Sequence, residues 1–288
     1  MSTFLSRIAS ALAGWLARRP LATQSRLGGA LGRLMLLSGG MRNRLRTYLA
    51  QAGYGDQVTL TQAAAGIGRM AVETAGLWRT PDAVVLARLK VVDGWDAVLA
   101  AHEAKRGVIF LTPHMATFEI ASLFIGSQMP LTVMFRPPRV AWAEPMMRAG
   151  RDRMQIKSEP AEMSGIRAML KALRRGDAIG LLPDQVPDPG KGGEGVWAPF
   201  FGQPAYTMTL SARLARTANT TVLLAWGERL SWGQGFVVHV LPFEHALPVE
   251  PEAACAVINQ AMASLIGTRP SQYLWGYNRY KAPREVVA

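Results

Sequence analysis

Two side chains that could do acid–base chemistry, His114 and Glu119, stand five residues apart in the segment HMATFE. The run before them, residues 108–111, is apolar with β-branched and aromatic side chains, and a Thr-Pro dipeptide ends it. This pattern predicts a buried strand that stops at a sharp turn, followed by a helix from Met115 onward. Five helical positions differ by roughly 140°, so the two side chains can converge only if His114 lies on the turn and Glu119 on the first helical turns.

The pair indicates a general base. A carboxylate close to an imidazole selects its tautomer and stabilises its protonated form. We therefore expect His114 to take a proton from a hydroxyl while Glu119 holds the ring. A plainer interpretation is open at this point, because a single histidine beside a helix start is often a helix cap or a surface group.

Strands and helices alternate along most of the chain. Apolar runs predict strands at residues 86–92, 108–111, 131–135, 178–182, 221–226 and 236–241. Helical periodicity predicts helices at residues 57–78, 93–106, 115–128, 141–154, 162–175, 207–217 and 252–266. This alternation is typical of an α/β fold with a mostly parallel mixed sheet flanked by helices.

Three candidate site residues each follow the end of a predicted strand: His114, Arg136 and Asp184. Ligands of such sheets bind at the carboxyl ends of the strands, so we expect these side chains to share one cleft. The alternatives are that Arg136 is an ordinary surface charge and that Asp184 caps a turn.

The composition limits the classes of partner. The chain has 288 residues, 49% hydrophobic content and a formal net charge of +12, which predicts an anionic partner: nucleic acid, an acidic protein or an anionic membrane. The single cysteine, Cys255, excludes a disulfide framework and a thiolate metal cluster. The four histidines show no metal-ligand spacing, so we expect no metal site.

Residues 1–55 contain eight arginines and no acid; the first carboxylate is Asp56. No uncharged apolar run approaches the roughly 20 residues that a spanning helix needs. Arginines alternating with leucines and Trp15 favour amphipathic helices that lie in a membrane interface. A basic tail, or a helix packed on its own domain, is the alternative. We divide the chain into residues 1–55, a membrane-associating segment, and residues 56–288, an α/β domain.

These residues suit attack of a hydroxyl on an acyl carbon. Arg136 and Arg151 are candidates for stabilising the tetrahedral oxyanion, although either could be surface charge. The sequence has no G-x-S-x-G elbow, and Cys255 falls within a predicted helix without an adjacent histidine. Direct transfer without a covalent acyl-enzyme is therefore the simpler scheme.

Six motifs occur in a specific order. They are HMATFE at 114–119, FRPPR at 135–139, GRDR at 150–153, LLPDQVP at 181–187, GVWAPFFGQPAYT at 195–207 and QYLWGYNRYK at 272–281. Together they resemble the bacterial lipid A late acyltransferases, within the glycerolipid and lysophospholipid acyltransferase-like superfamily. The resemblance extends over residues 55–283.

The resemblance implies a transferase of groups other than aminoacyl groups, at the cytoplasmic face of the inner membrane. Its donor would be acyl carrier protein, its acceptor a hydroxyl of a lipid A precursor, and it would need no further cofactor. The catalytic residues of the family fall on His114, Glu119, Arg151 and Asp184. The substrate-binding candidates are Arg136, Gln185, Phe201 and Thr207.

Two other functions are open from the sequence. The same chemistry could act on another acceptor, such as a lysophospholipid, an ornithine-type lipid or a glycosylated inositol lipid. A non-catalytic basic protein that binds nucleic acid or membranes is disfavoured, because the aromatic residues cluster in predicted core and loop motifs rather than along a basic stripe. We expect no nucleic-acid partner.

Overall fold

The computed structural model describes residues 2–136 and 143–283, with the side chains of residues 2–6 and 191 left out. The strands in these residues are β1 (Leu89–Asp93), β2 (Gly107–Leu111), β3 (Leu131–Phe135), β4 (Ile156–Pro160), β5 (Ala178–Leu181), β6 (Gly195–Phe200), β7 (Gln203–Met208), β8 (Thr220–Arg229) and β9 (Phe236–Pro242). The helices are α1 (Ser2–Ala17), α2 (Leu21–Leu34), α3 (Gly39–Gln51), α4 (Leu60–Leu77), α5 (Asp82–Ala87), α6 (Asp96–Glu103), α7 (Glu119–Gln128), α8 (Glu144–Arg151), α9 (Met163–Arg174), α10 (Leu210–Ala215) and α11 (Pro251–Thr268).

Seven strands form one sheet in the order β1-β9-β8-β2-β5-β3-β4. Neighbouring strands are parallel except β8 and β9, which are antiparallel. The predicted mostly parallel mixed sheet flanked by helices is confirmed. Because β2, β5 and β3 are adjacent and parallel, the turns that follow them meet at one edge of the sheet.

The central strand β2 is buried along its whole length and contributes to both cores. Ile109 and Leu111 pack on one face with α4, α9 and α11, whereas Val108 and Phe110 pack on the other with α6 and α7. Alternation of side chains along the strand explains this division. The sequence shows a continuous apolar run at this point because both faces of the strand are covered.

The basic N-terminal segment is helical and partly packed on the α/β domain. Glycines of α2 allow its backbone to approach α4 closely: an added Cβ at Gly32 would overlap the carbonyl of Ala64, and one at Gly28 would contact Gly68. Outward-facing apolar side chains of α1 and α2 are exposed at helical spacing, namely Ile8, Leu12, Trp15, Leu27, Leu31 and Leu34. Within the described residues, no helix is both long enough and apolar enough to cross a bilayer.

Several predicted elements differ from the structure. The strand expected at 86–92 begins only at Leu89, because α5 occupies the residues before it. The helix expected from Met115 begins at Glu119, since residues 112–118 form an irregular turn. The helix expected at 207–217 is the end of β7 followed by α10, and the β6–β7 hairpin and β4 were not predicted. Of the helix expected at 141–154, residues 141 and 142 lie outside the described residues.

Candidate active site

The turn that carries His114 is held by backbone contacts from a distant part of the chain. Ala116 has a φ of +50°, a left-handed conformation that is uncommon for a residue other than glycine. Its N–H donates to the carbonyl of Gln272 at 2.7 Å, and the N–H of Leu274 donates to the carbonyl of His114 at 3.1 Å. These contacts offset the strain and fix the direction in which the imidazole leaves the sheet.

The imidazole of His114 is paired with Asp184. Nδ1 of the ring lies 2.7 Å from Oδ1 of the carboxylate, and the backbone N–H of His114 donates to Oδ2 at 2.8 Å. Asp184 follows β5, which neighbours β2, so the sheet topology brings the two residues together. The carboxylate is buried, whereas 15% of the His114 side chain is exposed.

This geometry selects one tautomer of the ring. Burial alone would raise the pKa of Asp184, but the charge and hydrogen bonds of His114, together with Arg279, lower it below its usual value. An ionised carboxylate only accepts hydrogen bonds, so the proton of the neutral ring sits on Nδ1. Nε2 then carries a lone pair, and the side-chain nitrogen of Gln185 lies 3.1 Å from it, where it can donate a hydrogen bond. His114 is therefore arranged as a base at Nε2.

Glu119 makes a different contact from the one expected. Its carboxylate accepts a hydrogen bond from Nε of Arg151 at 2.6 Å, and both side chains are largely buried. The guanidinium also lies 5.8 Å from the ring centroid of Trp78. The prediction that Glu119 holds the imidazole directly is corrected: Asp184 makes that contact, because the carboxyl end of β5 adjoins the turn after β2.

His114 opens onto a cavity of about 680 Å³. Glu119, Arg151, Arg136 and Gln185 also contribute to its wall. Most of the remaining wall is apolar, with side chains from β3, β4, β5, β7, α9 and α10, including Val133, Ile156, Met163, Ile166, Leu181, Met208 and Leu210. An apolar cavity of this volume with a few polar groups in its wall suits a ligand with a hydrocarbon chain and a reactive polar end.

Two predicted substrate-binding residues lie elsewhere. Phe201, at the tip of the β6–β7 hairpin, packs on Tyr54 and Trp275, with ring centroids at 5.9 and 5.8 Å. Thr207 is fully buried in β7, and its hydroxyl accepts a hydrogen bond from Arg279 at 2.7 Å. Neither is part of the described cavity wall. Their place in the motif is explained by packing, which a sequence pattern cannot distinguish from ligand contact.

Arg279 is a buried residue that stabilises the surroundings of the active site. It was not predicted as a site residue. The side chain is buried and donates to the carbonyl of Tyr206 at 2.7 Å as well as to Thr207. Its guanidinium lies 5.2 Å from the ring centroid of Phe200. Its charge is one of the causes of the lowered pKa of Asp184. This arginine belongs to the motif QYLWGYNRYK, and the basic and aromatic composition of that motif is the feature of the sequence that could have indicated its role.

A buried ion pair lies beneath the same turn. Glu73 on α4 accepts hydrogen bonds from Nε of Arg229 and from the hydroxyl of Thr117, both at 2.6 Å. Thr117 lies between His114 and Glu119 in the chain, so the pair anchors the turn that carries both. Sequence reasoning missed Glu73 and Arg229, because each is a single charge within an apolar element and nothing in its spacing indicates the partner.

A His–Asp pair, an Arg–Glu pair and an apolar cavity meet at one edge of the sheet, an arrangement that suits acyl transfer. A family model described as bacterial lipid A biosynthesis acyltransferase matches residues 6–282, and the chain belongs to that family. The resemblance noted in the motifs is thereby confirmed. The enzyme is a transferase of lipid A and lipopolysaccharide biosynthesis.

Individual relatives of modest sequence identity also carry names from lipid A biosynthesis. The chain is similar to a lipid A biosynthesis lauroyltransferase of Escherichia coli, 26% identical over 226 residues that span 77% of this chain and 71% of the relative. It is 27% identical to a lipid A biosynthesis palmitoleoyltransferase of the same organism over 216 residues, 75% of this chain and 69% of the relative. A lipid A biosynthesis acyltransferase of Haemophilus influenzae is 25% identical over 235 residues, 78% of this chain and 71% of the relative.

Proposed function

We propose that the enzyme transfers a fatty acyl chain from acyl carrier protein to a hydroxyl of a lipid A precursor, with His114 as the general base. The observation that carries the proposal is the pairing of His114 Nδ1 with the buried carboxylate of Asp184, at the mouth of an apolar cavity. This pairing leaves Nε2 as the basic atom on the cavity side. Positioned general bases contribute roughly 10²–10⁴ to rate.

The proposed reaction is direct. Nε2 of His114 takes the proton of the acceptor hydroxyl as its oxygen attacks the thioester carbon. The tetrahedral intermediate collapses with cleavage of the carbon–sulfur bond, and the imidazolium returns its proton to the departing thiolate. The products are an ester on the lipid and free acyl carrier protein thiol, so protons and bonds balance. The scheme needs only acyl carrier protein as co-substrate and involves no metal or other cofactor.

Arg151 and Arg136 are the proposed partners of the developing oxyanion. Arg151 is held by Glu119, so we propose that Glu119 acts by aiming this guanidinium rather than by holding His114. Arg136 follows β3 and reaches the same wall of the cavity. Gln185, beside Nε2, is the proposed guide for the acceptor hydroxyl.

Charge and exposed apolar surface support the two proposed partners. Acyl carrier protein and a phosphorylated disaccharide are both acidic, and a protein of net charge +12 attracts them. The exposed faces of α1 and α2 combine leucines and Trp15 with arginines, which suits attachment to an anionic membrane interface. We propose that this attachment is to the cytoplasmic face of the inner membrane.

The test is an assay of purified enzyme with a set of acyl carrier protein thioesters and a tetra-acylated lipid A precursor. We expect acyl transfer that falls by about 10²–10⁴ in His114→Ala. The matched control is His102→Ala, because His102 is an exposed histidine on α6 and should leave the rate unchanged. Equal activity in His114→Ala and wild type would reject the mechanism.

A panel of acceptors tests the substrate. Transfer to a lysophospholipid or an ornithine-type lipid, with none to the lipid A precursor, would reject the proposed acceptor while keeping the chemistry. Mass spectrometry of total lipids after deletion of the gene provides the corresponding test in cells. Lipid A that lacks one secondary chain is the expected result, and intact lipid A would contradict it.

A further inference from the structure

A second cavity lies away from the active site. It has a volume of about 420 Å³ and lies between the α1–α2 turn, the end of α5, β1 and the β8–β9 turn. Four cations contribute to its wall, Arg18, Arg19, Arg88 and Lys90, and no acid does so among the described residues. A pocket with this charge favours an anion of compact shape.

Closely packed backbone segments form the walls of the pocket. Gly233, in the β8–β9 turn, has a φ of +71° and lies so close to the start of α2 that an added Cβ would overlap the backbone of Ala22. The stem of Lys90 packs close to Gly235 of the same turn. The pocket therefore depends on glycines that permit close backbone approach.

Arg88 contributes to the pocket wall, and its charge is not neutralised by a bonded acid among the described residues. Nη1 of Arg88 is buried and has no hydrogen-bond partner within the described residues. Glu73 is the carboxylate whose charge acts on Arg88, but it is already hydrogen-bonded to Arg229 and Thr117. No carboxylate within the described residues forms an ion pair or hydrogen bond with Arg88, so its positive charge adds to that of the other three cations.

Exposed tryptophans flank the cationic pocket. Trp232, next to Gly233, is 81% exposed and has a left-handed backbone with φ of +58°. Trp15 is partly exposed, and the guanidinium of Arg19 lies 4.7 Å from its ring centroid. Tryptophan is enriched at the boundary between lipid headgroups and acyl chains. Cations next to tryptophans of this kind suit the phosphate of a lipid headgroup.

We propose that this pocket binds the phosphodiester headgroup of an anionic phospholipid and thereby orients the enzyme on the membrane. The inference deepens the proposed membrane attachment by assigning it a specific lipid site. It is separate from the acceptor site, since the pocket adjoins the β1 edge of the sheet and shares no wall residue with the catalytic cavity. An apolar helix face alone would bind neutral and anionic membranes alike.

The test compares two double variants that remove the same charge. Arg18→Ser with Lys90→Ser removes two exposed cations of the pocket. Lys171→Ser with Arg174→Ser removes two exposed cations of α9, which packs on the strands at the opposite side of the sheet. Co-sedimentation is measured with phosphatidylcholine vesicles and with vesicles that contain one third phosphatidylglycerol, at about 0.15 M salt.

We expect the pocket variant to lose roughly tenfold or more in affinity for phosphatidylglycerol vesicles, since each basic residue near an anionic surface contributes about one tenfold step or somewhat less. The control variant should lose less than about twofold, because its charges lie on another face. Equal losses in the two variants, or no loss in the pocket variant, would overturn the proposal. Binding of inorganic phosphate to the pocket without any displacement from phosphatidylglycerol vesicles, at constant ionic strength, would also overturn it, by assigning the pocket to free phosphate.

Two further measurements distinguish a failure of this proposal from a failure of the proposed function. Trp232→Ser should weaken binding without changing its salt dependence, whereas the pocket variant should reduce that dependence; the reverse pattern would contradict the assigned roles. Acyl transfer to a detergent-dispersed acceptor should be unchanged in the pocket variant. Absence of acyl transfer in the wild type would reject the proposed function and leave the vesicle results intact.

Discussion

Replacing Asp184 with asparagine tests the proposed base most directly. The carboxylate now accepts two hydrogen bonds from one residue, from ring Nδ1 and from the backbone N–H of His114. An asparagine has one acceptor oxygen and one donor nitrogen, so it cannot accept both. The backbone N–H is a fixed donor and retains the oxygen. The amide nitrogen then faces Nδ1, which must become the acceptor.

The consequence is the wrong tautomer of His114. If Nδ1 accepts a hydrogen bond, the proton of the neutral ring moves to Nε2, and the basic atom disappears from the cavity side. Because all three polar groups keep partners, we expect Asp184→Asn to fold, and at neutral pH it should lose only the stability that the ionised carboxylate contributes. The expected effect is a fall in kcat of about 10²–10⁴, the usual contribution of a general base.

The assay measures turnover and, separately, which nitrogen of the His114 ring carries the proton. Initial rates are measured with an acyl carrier protein thioester and a lipid A precursor, and ¹⁵N NMR of labelled histidine reports which nitrogen carries the proton. A matched variant is Asp188→Asn, which makes the same change in the connection between β5 and β6. A kcat within about tenfold of wild type, or a proton that stays on Nδ1 in Asp184→Asn, would refute the reasoning.

The same variant should also change how the stability of the protein depends on pH in the acid range. The pKa of Asp184 is lowered in the folded protein, so its ionised form stabilises the fold. That contribution is fully present above the unfolded pKa of the carboxyl and is lost as pH falls through the lower folded value. Asp184→Asn should therefore lose less stability than wild type between about pH 5 and pH 2. Parallel curves for the two proteins in urea melts would contradict this expectation.

Three further predictions concern the scaffold. Glu73→Ala strands the buried charge of Arg229 and should cost about 3–5 kcal/mol in urea unfolding; a loss below about 1 kcal/mol would show that water replaces the partner. Gly32→Leu should destabilise by about 1–3 kcal/mol or detach α2 from α4, whereas Gly14→Leu, with open space around it, should be close to neutral. Burial raises the pKa of Cys255 to about 11, so maleimide at pH 7 should label it slowly in the folded protein and quickly in urea, and equal rates would contradict its burial.

Most of the large sheet could be predicted from the sequence, and the physical reason is burial. The strands β2, β3 and β5 are buried on both faces and appear as short apolar runs bounded by glycine or proline. The β4 strand, IKSEP, was missed because it lies at the edge of the sheet, where one side is open and polar residues are tolerated. The β6–β7 hairpin was missed because its tip is Phe-Gly rather than a common turn pair.

The sequence predicted which residues lie in the active site, but not which of them contact each other. Chain order placed His114 and Asp184 at strand ends, so their presence in one cleft followed from parallel topology. Which carboxylate meets the imidazole depends on strand order, and the adjacency of β2 and β5 across the sheet cannot be deduced from positions 70 residues apart in the chain. Glu119 is closer in sequence, yet it begins a helix that leads away from the ring and toward Arg151.

The motif at residues 272–281 shows why the catalytic turn needs support from the far end of the chain. Ala116 adopts a conformation that L-residues avoid, and such strain persists only where surrounding contacts over-determine it. Gln272 supplies the carbonyl that binds Ala116, and its side chain pairs with both backbone groups of Arg229 at 3.0 and 3.1 Å. Arg229 in turn holds Glu73. One glutamine therefore joins the turn to the ion pair beneath it, and the C-terminal motif forms part of the active-site scaffold rather than a separate binding element.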